Sequence, residues 1–87
     1  MAKLKILLVD DEEEFCTLMG VRIINWGYDF IKASSGKEAL DILKSQNPDI
    51  IILDYMMPEM DGVATLKEIR AGKFALITPV ITFTEGL

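Results

Sequence analysis

The chain has 87 residues, 51% hydrophobic side chains and a net charge of −5, which bounds it to one small globular domain over residues 1–87 and excludes a disordered polymer. The acidic balance argues against nonspecific binding to nucleic acid or to an anionic membrane, and it favours local attraction of a cation. There is no histidine and a single cysteine, Cys16, which excludes imidazole acid–base chemistry, histidine metal ligands and an internal disulfide, and suits a reducing cytoplasm.

Leu4-Lys5-Ile6-Leu7-Leu8-Val9 reads as a first, mostly buried strand that ends at Asp10 and Asp11. Lys3 and Lys5 interrupt the run, so it lacks a signal-peptide layout, and no apolar stretch approaches the roughly eighteen residues that span a bilayer. A helix should follow at once. Asp11 is the expected N-cap, with Glu12, Glu13 and Glu14 in a solvated first turn that the helix dipole favours. Phe15, Leu18, Met19, Ile23 and Trp26 fall at helical spacing and predict the buried stripe, with Arg22 as its exception. Gly20 costs helix stability and is expected to mark close packing, and Asn25 or Gly27 ends the helix. Cys16 is read as an ordinary helix residue, not a reactive thiol.

Tyr28 to Ala33 alternates like a short, half-exposed strand near a sheet edge. Ser35-Gly36-Lys37-Glu38 is a capping-box pattern with Ser35 as N-cap. The helix it opens carries Ala39, Leu40 and Leu43 on one face and is terminated by Asn47-Pro48-Asp49. Ile50-Ile51-Ile52-Leu53 follows, three of the four β-branched, as suits a strand buried on both faces. It stops at Asp54, because Pro58 cannot extend a central strand. Residues 59–71 predict a third helix with Val63, Leu66, Ile69 and Arg70 near one face. Met56, Met57 and Met60 are read as loop and packing residues. Val80 to Thr84 predicts a fourth strand. Strands alternating with helices imply parallel β-α-β units with right-handed crossovers.

Asp10, Asp11 and Asp54 would then end strands on one rim, where ligands bind in open α/β sheets. Like charges that converge are unfavourable unless a cation joins them or protons remain. All-oxygen ligands point to a hard ion, and few protein carboxylates suit Mg²⁺ with water. Thr84 ends the fourth strand on the same rim and supplies a hydroxyl. A carboxylate nucleophile, a metal and a hydroxyl together describe phosphoryl chemistry.

Three segments carry a resemblance to the receiver domain of two-component response regulators: Ile6-Leu7-Leu8-Val9-Asp10-Asp11-Glu12, Asp54-Tyr55-Met56-Met57-Pro58-Glu59-Met60-Asp61-Gly62, and Pro79-Val80-Ile81-Thr82-Phe83-Thr84. The resemblance implies a flavodoxin-like α/β fold with sheet order 2-1-3-4. It implies Asp54 as the phosphoacceptor that takes phosphate from a histidine kinase or phosphotransfer protein. Asp10, Asp11, Asp54 and the backbone carbonyl of Met56 would hold Mg²⁺, and Thr84 would be the switch hydroxyl. Pro58 and Gly62 would shape the loop after the acceptor. Such a module is no turnover enzyme, although it assists its own phosphorylation and dephosphorylation.

Two departures from the family pattern stand out. A fifth strand, the lysine that ends it and the last helices have no counterpart, and Lys73 does not match that lysine by motif. Glu85 also replaces the usual small residue after the threonine, adding bulk and negative charge where a dianion must approach. A sheet shortened in this way would leave the fourth strand as an edge and one face partly uncovered. The expected remedy is a homo-oligomer through that strand and that face, without nucleic acid or membrane. The alternative function is a truncated receiver fragment that dimerises as an interaction module without productive phosphotransfer. A phosphatase-like hydrolase is weaker, because Met56 stands where a general acid would be needed.

Overall fold

The sheet is built outward from Lys5–Val9 (β1), whose two sides are paired in parallel with Asp29–Ala33 (β2) and Ile50–Asp54 (β3). Val80–Phe83 (β4) pairs in parallel with β3, which gives the order β2-β1-β3-β4, as expected. The computed structural model describes residues 3–54, 57, 62–71 and 78–83. The connecting helices are Glu13–Asn25 (α1), Gly36–Leu43 (α2) and Gly62–Ala71 (α3). None of the described helices is long and apolar enough to cross a membrane.

Strand register sorts the side chains onto two faces, because neighbours along a strand alternate. Leu7, Val9, Ala33, Ile51 and Leu53 share one face. They form a buried cluster with Ala39 and Leu43 of α2, Ile69 of α3 and Met57, with Leu40, Leu66 and Val80 packed against it. Ile6 is the register partner of both Phe30 and Ile50, so Ile6, Leu8, Ile52 and Asp54 share the opposite face. That face belongs to α1. A Cβ added to Gly20 would lie 2.6 Å from the Phe30 ring, so the glycine sets how closely α1 approaches β2.

Local signals explain the helix limits. At the end of α1, Gly27 adopts φ +94, and the amides of Gly27 and Tyr28 donate to the carbonyls of Ile24 and Ile23. This left-handed closure satisfies carbonyls that the helix leaves over. At the start of α2, Ser35 Oγ accepts from the Glu38 amide at 3.1 Å. The Glu38 carboxylate reaches back to the amide and hydroxyl of Ser34, at 3.3 and 3.1 Å. Asp49 and Lys5 exchange bonds at the opposite end of the sheet, Lys5 N–H to Asp49 Oδ2 and Asp49 N–H to Lys5 O.

Several expectations are corrected. Glu12, not Asp11, occupies the N-cap position of α1, and its side chain makes no capping bond. The buried face of α1 is Cys16, Gly20 and Ile23, whereas Leu18 and Trp26 are each 63% exposed. Ile23 is buried and Gly20 makes the close approach, both as expected, so the correction falls on Leu18 and Trp26. Helix α2 ends at Leu43, before Asn47-Pro48-Asp49. On α3, Thr65 is buried and Val63 is exposed. Arg70 points outward and donates from Nη2 to Thr78 O at 2.8 Å, tying α3 to the approach of β4. Residues 59–61 of the expected third helix lie outside the described residues.

Candidate metal and acceptor centre

Asp10 leaves β1 with its backbone still in the ladder, its amide donating to Ala33 O at 3.0 Å. Its carbonyl accepts from Cys16 Sγ at 3.4 Å, so α1 folds back onto the strand end. Cys16 thus has a structural partner at the strand end. The Asp10 side chain is 1% exposed. Oδ1 accepts from the Glu12 amide at 2.8 Å, whereas buried Oδ2 has no hydrogen-bond partner among the described residues. An ionised oxygen buried without a partner is costly, and cation coordination is one of the few ways to offset that cost.

Asp54 ends β3 beside this group. Val9 and Leu53 are register partners, so the next residues, Asp10 and Asp54, leave adjacent strands at the same level. The Asp54 side chain is 4% exposed, and Asp11 is exposed on the loop into α1. One carboxylate oxygen from each of Asp10, Asp11 and Asp54 lies within 4.8 Å of the others. The three side chains that the sequence puts on one rim are therefore together in space. Two buried and one exposed hard oxygen donors match a small divalent ion that keeps waters on its open side. The orphaned Asp10 Oδ2 fits such an ion.

Thr84, the Met56 carbonyl, Pro58, Glu85 and Lys73 lie outside the described residues. Sequence reasoning overlooked an aromatic neighbour of the site. Phe83 is the register partner of Asp54, and its ring meets that of Phe15 from α1, centroids 5.6 Å apart. No local sequence signal marks this neighbour, because it follows from the register that sets Phe83 opposite Asp54.

The fold and the acidic rim together define a two-component receiver, and the chain belongs to the response regulator receiver domain family, which matches residues 6–86. Among curated relatives, it is 44% identical to the alkaline phosphatase synthesis transcriptional regulatory protein PhoP of Bacillus subtilis, over 92% of this chain and 32% of that protein. It is 43% identical to the transcriptional regulatory protein ZraR of Escherichia coli, over 91% of this chain and 18% of that protein. The chain thus spans a third or less of these relatives. Among solved structures, the chemotaxis protein CheY4 of Vibrio cholerae superposes with a TM-score of 0.92 at 30% identity, covering 99% of this chain and 72% of that one. The response regulator TrrA of Thermotoga maritima, solved in complex with Mg²⁺-BeF, gives 0.85 at 35% identity, covering 95% of this chain and 70% of that one. The chain is therefore a signalling module of the receiver type.

Proposed function

We propose that the chain is a phosphoacceptor module of a two-component phosphorelay, with Asp54 as the acceptor. The carrying observation is the meeting of three carboxylates, together with a buried Asp10 oxygen that has no hydrogen-bond partner among the described residues. Asp10, Asp11, Asp54 and the Met56 carbonyl are the groups that would hold Mg²⁺. When bound, that ion neutralises charge developing on the phosphoryl oxygens. One Asp54 oxygen attacks the phosphorus of a phosphohistidine on a histidine kinase or phosphotransfer protein. The P–N bond breaks, the P–O bond forms, and the imidazole keeps the electron pair and takes a proton from solvent. Burial of Asp54 in the rim orients the nucleophile and keeps bulk water from it. Thr84 donates its hydroxyl to a phosphoryl oxygen, and Glu85 slows approach of the dianion. The module works in the cytoplasm and has no substrate turnover of its own.

The test uses Mg²⁺ and beryllofluoride, a phosphoryl mimic, with fluorine resonance as the readout. A bound signal that requires Mg²⁺ and vanishes in Asp54→Ala supports the reading. Equal signals in both proteins, or none in either, contradict it.

A second reading, self-association as an interaction module, is favoured by one feature. Ile81 is 55% exposed on β4, which pairs only with β3 among the described residues. An exposed apolar edge strand is a template for a second copy. Light scattering at micromolar concentration tests this reading, and a cooperatively melting monomer would end it.

A further inference from the structure

The Phe15–Phe83 pair stands where the phosphoacceptor reading leaves a question open, namely what controls the lifetime of the acyl phosphate. Asp54 and Phe83 are register partners in a parallel pair. Such partners project to the same face of the sheet from backbones about 4.8 Å apart. The Phe83 side chain therefore leaves the sheet from the position next to Asp54, on the α1 face. Phe15 lies one turn into α1 from Asp11 and meets that ring at 5.6 Å with the planes inclined by 32°. A tilted pair at this separation is a favourable aromatic contact.

Its location is selective. Ile81, two residues earlier on the same face of β4, is largely exposed, while Phe83 is half-buried. The α1 side of β4 thus receives aromatic cover at the level of the acceptor and little at the position before it. A pair serving only to dock α1 on the sheet would sit over the middle of the strands, where Ile6 and Leu8 are buried.

We propose that Phe15 and Phe83 form an apolar wall of the acceptor site that restrains hydrolysis of the phosphorylated Asp54, and so sets how long the signal persists. The inference rests on Asp54 being the acceptor. In hydrolysis, a water oxygen forms a bond to phosphorus as the bond from phosphorus to the Asp54 oxygen breaks. The carboxylate leaves with the electron pair, the water proton passes to solvent, and inorganic phosphate departs. An apolar wall offers the attacking water no hydrogen-bond partner and limits its population beside the phosphoryl group. Phe15 and Phe83 act by excluding water and are not catalytic residues.

The experiment loads the chain with Mg²⁺ and acetyl phosphate, removes the donor, and follows decay of the phosphoryl adduct by intact mass. Failure of the unaltered chain to form an adduct would defeat the acceptor reading itself, separately from this inference. Given an adduct, Phe15→Ala and Phe83→Ala are expected to shorten its lifetime about threefold or more without slowing its formation. Phe15→Leu, which restores apolar bulk, should return the lifetime close to the original. Unchanged decay in both alanine variants overturns the wall, as does parallel slowing of formation and decay, which marks general disruption. If an alanine variant does not fold, Phe15→Trp decides the matter. Added ring area should lengthen the lifetime, and no change refutes the proposal.

Discussion

The two faces of the sheet are built from the same strands and serve opposite ends. On one, Leu7, Val9, Ile51 and Leu53 are sealed under α2 and α3. On the other, α1 lies against β2, β4 keeps an exposed isoleucine, and the rim carries three acids. The difference separates stability from chemistry. A dry apolar layer supplies favourable burial, whereas gathered carboxylates oppose folding until a cation joins them. The boundary falls between consecutive residues, with Leu53 facing the closed layer and Asp54 the acidic rim.

That contrast can be broken at either face. Asp54→Ala should have the largest effect on chemistry, complete loss of the phosphoryl adduct by intact mass. Its melting temperature in metal-free buffer should hold or rise, because like-charge repulsion is relieved. Ile51→Ala should have the largest effect on stability, about 2–5 kcal/mol by urea titration. Ile81→Ala, on the open face, should change stability by no more than about 0.5 kcal/mol. Equal losses from Ile51→Ala and Ile81→Ala would erase the distinction between the faces.

Smaller effects sharpen the comparison. Gly20→Ala gains helix propensity, about 1 kcal/mol. It also forces a methyl group against the Phe30 ring, at a cost of about 1–3 kcal/mol. A net loss in denaturant titration is expected, and Phe30→Leu should relieve it. Ser35→Ala removes the α2 cap and should cost about 1 kcal/mol, with adduct formation unaltered because α2 serves the closed face.

Legibility in the sequence follows the same division. The closed face was readable because Ile50 to Leu53 is an unbroken apolar run and Ser35 to Glu38 a local cap with its own chemistry. The acidic rim was readable because strands end where their apolar runs end, which aligns Asp10, Asp11 and Asp54. On helix α1, Ile23 and the close approach at Gly20 were readable, whereas Leu18 and Trp26 were misassigned because the helix is apolar on two sides. Leu18, Val21 and Ile24 are exposed, while the buried side relies on Cys16, Gly20 and Ile23. Hydropathy ranks bulk, whereas close packing selects smallness. The N-cap was shifted by one residue because a run of five acids offers several equivalent starts. Thr65 was passed over as polar although the fold buries it completely. Phe83 was assigned to a strand without its neighbour, since a partner across the sheet is visible only once register is known.

The most direct test of the central claim is to locate the phosphoryl group chemically. The chain is treated with acetyl phosphate in Mg²⁺ or in chelator, reduced with borohydride, and mapped by peptide mass. A reduced residue at position 54 that forms in Mg²⁺ and is absent in chelator is the expected result. Modification at another acid, or labelling of Asp54 that is indifferent to the metal, would contradict the account.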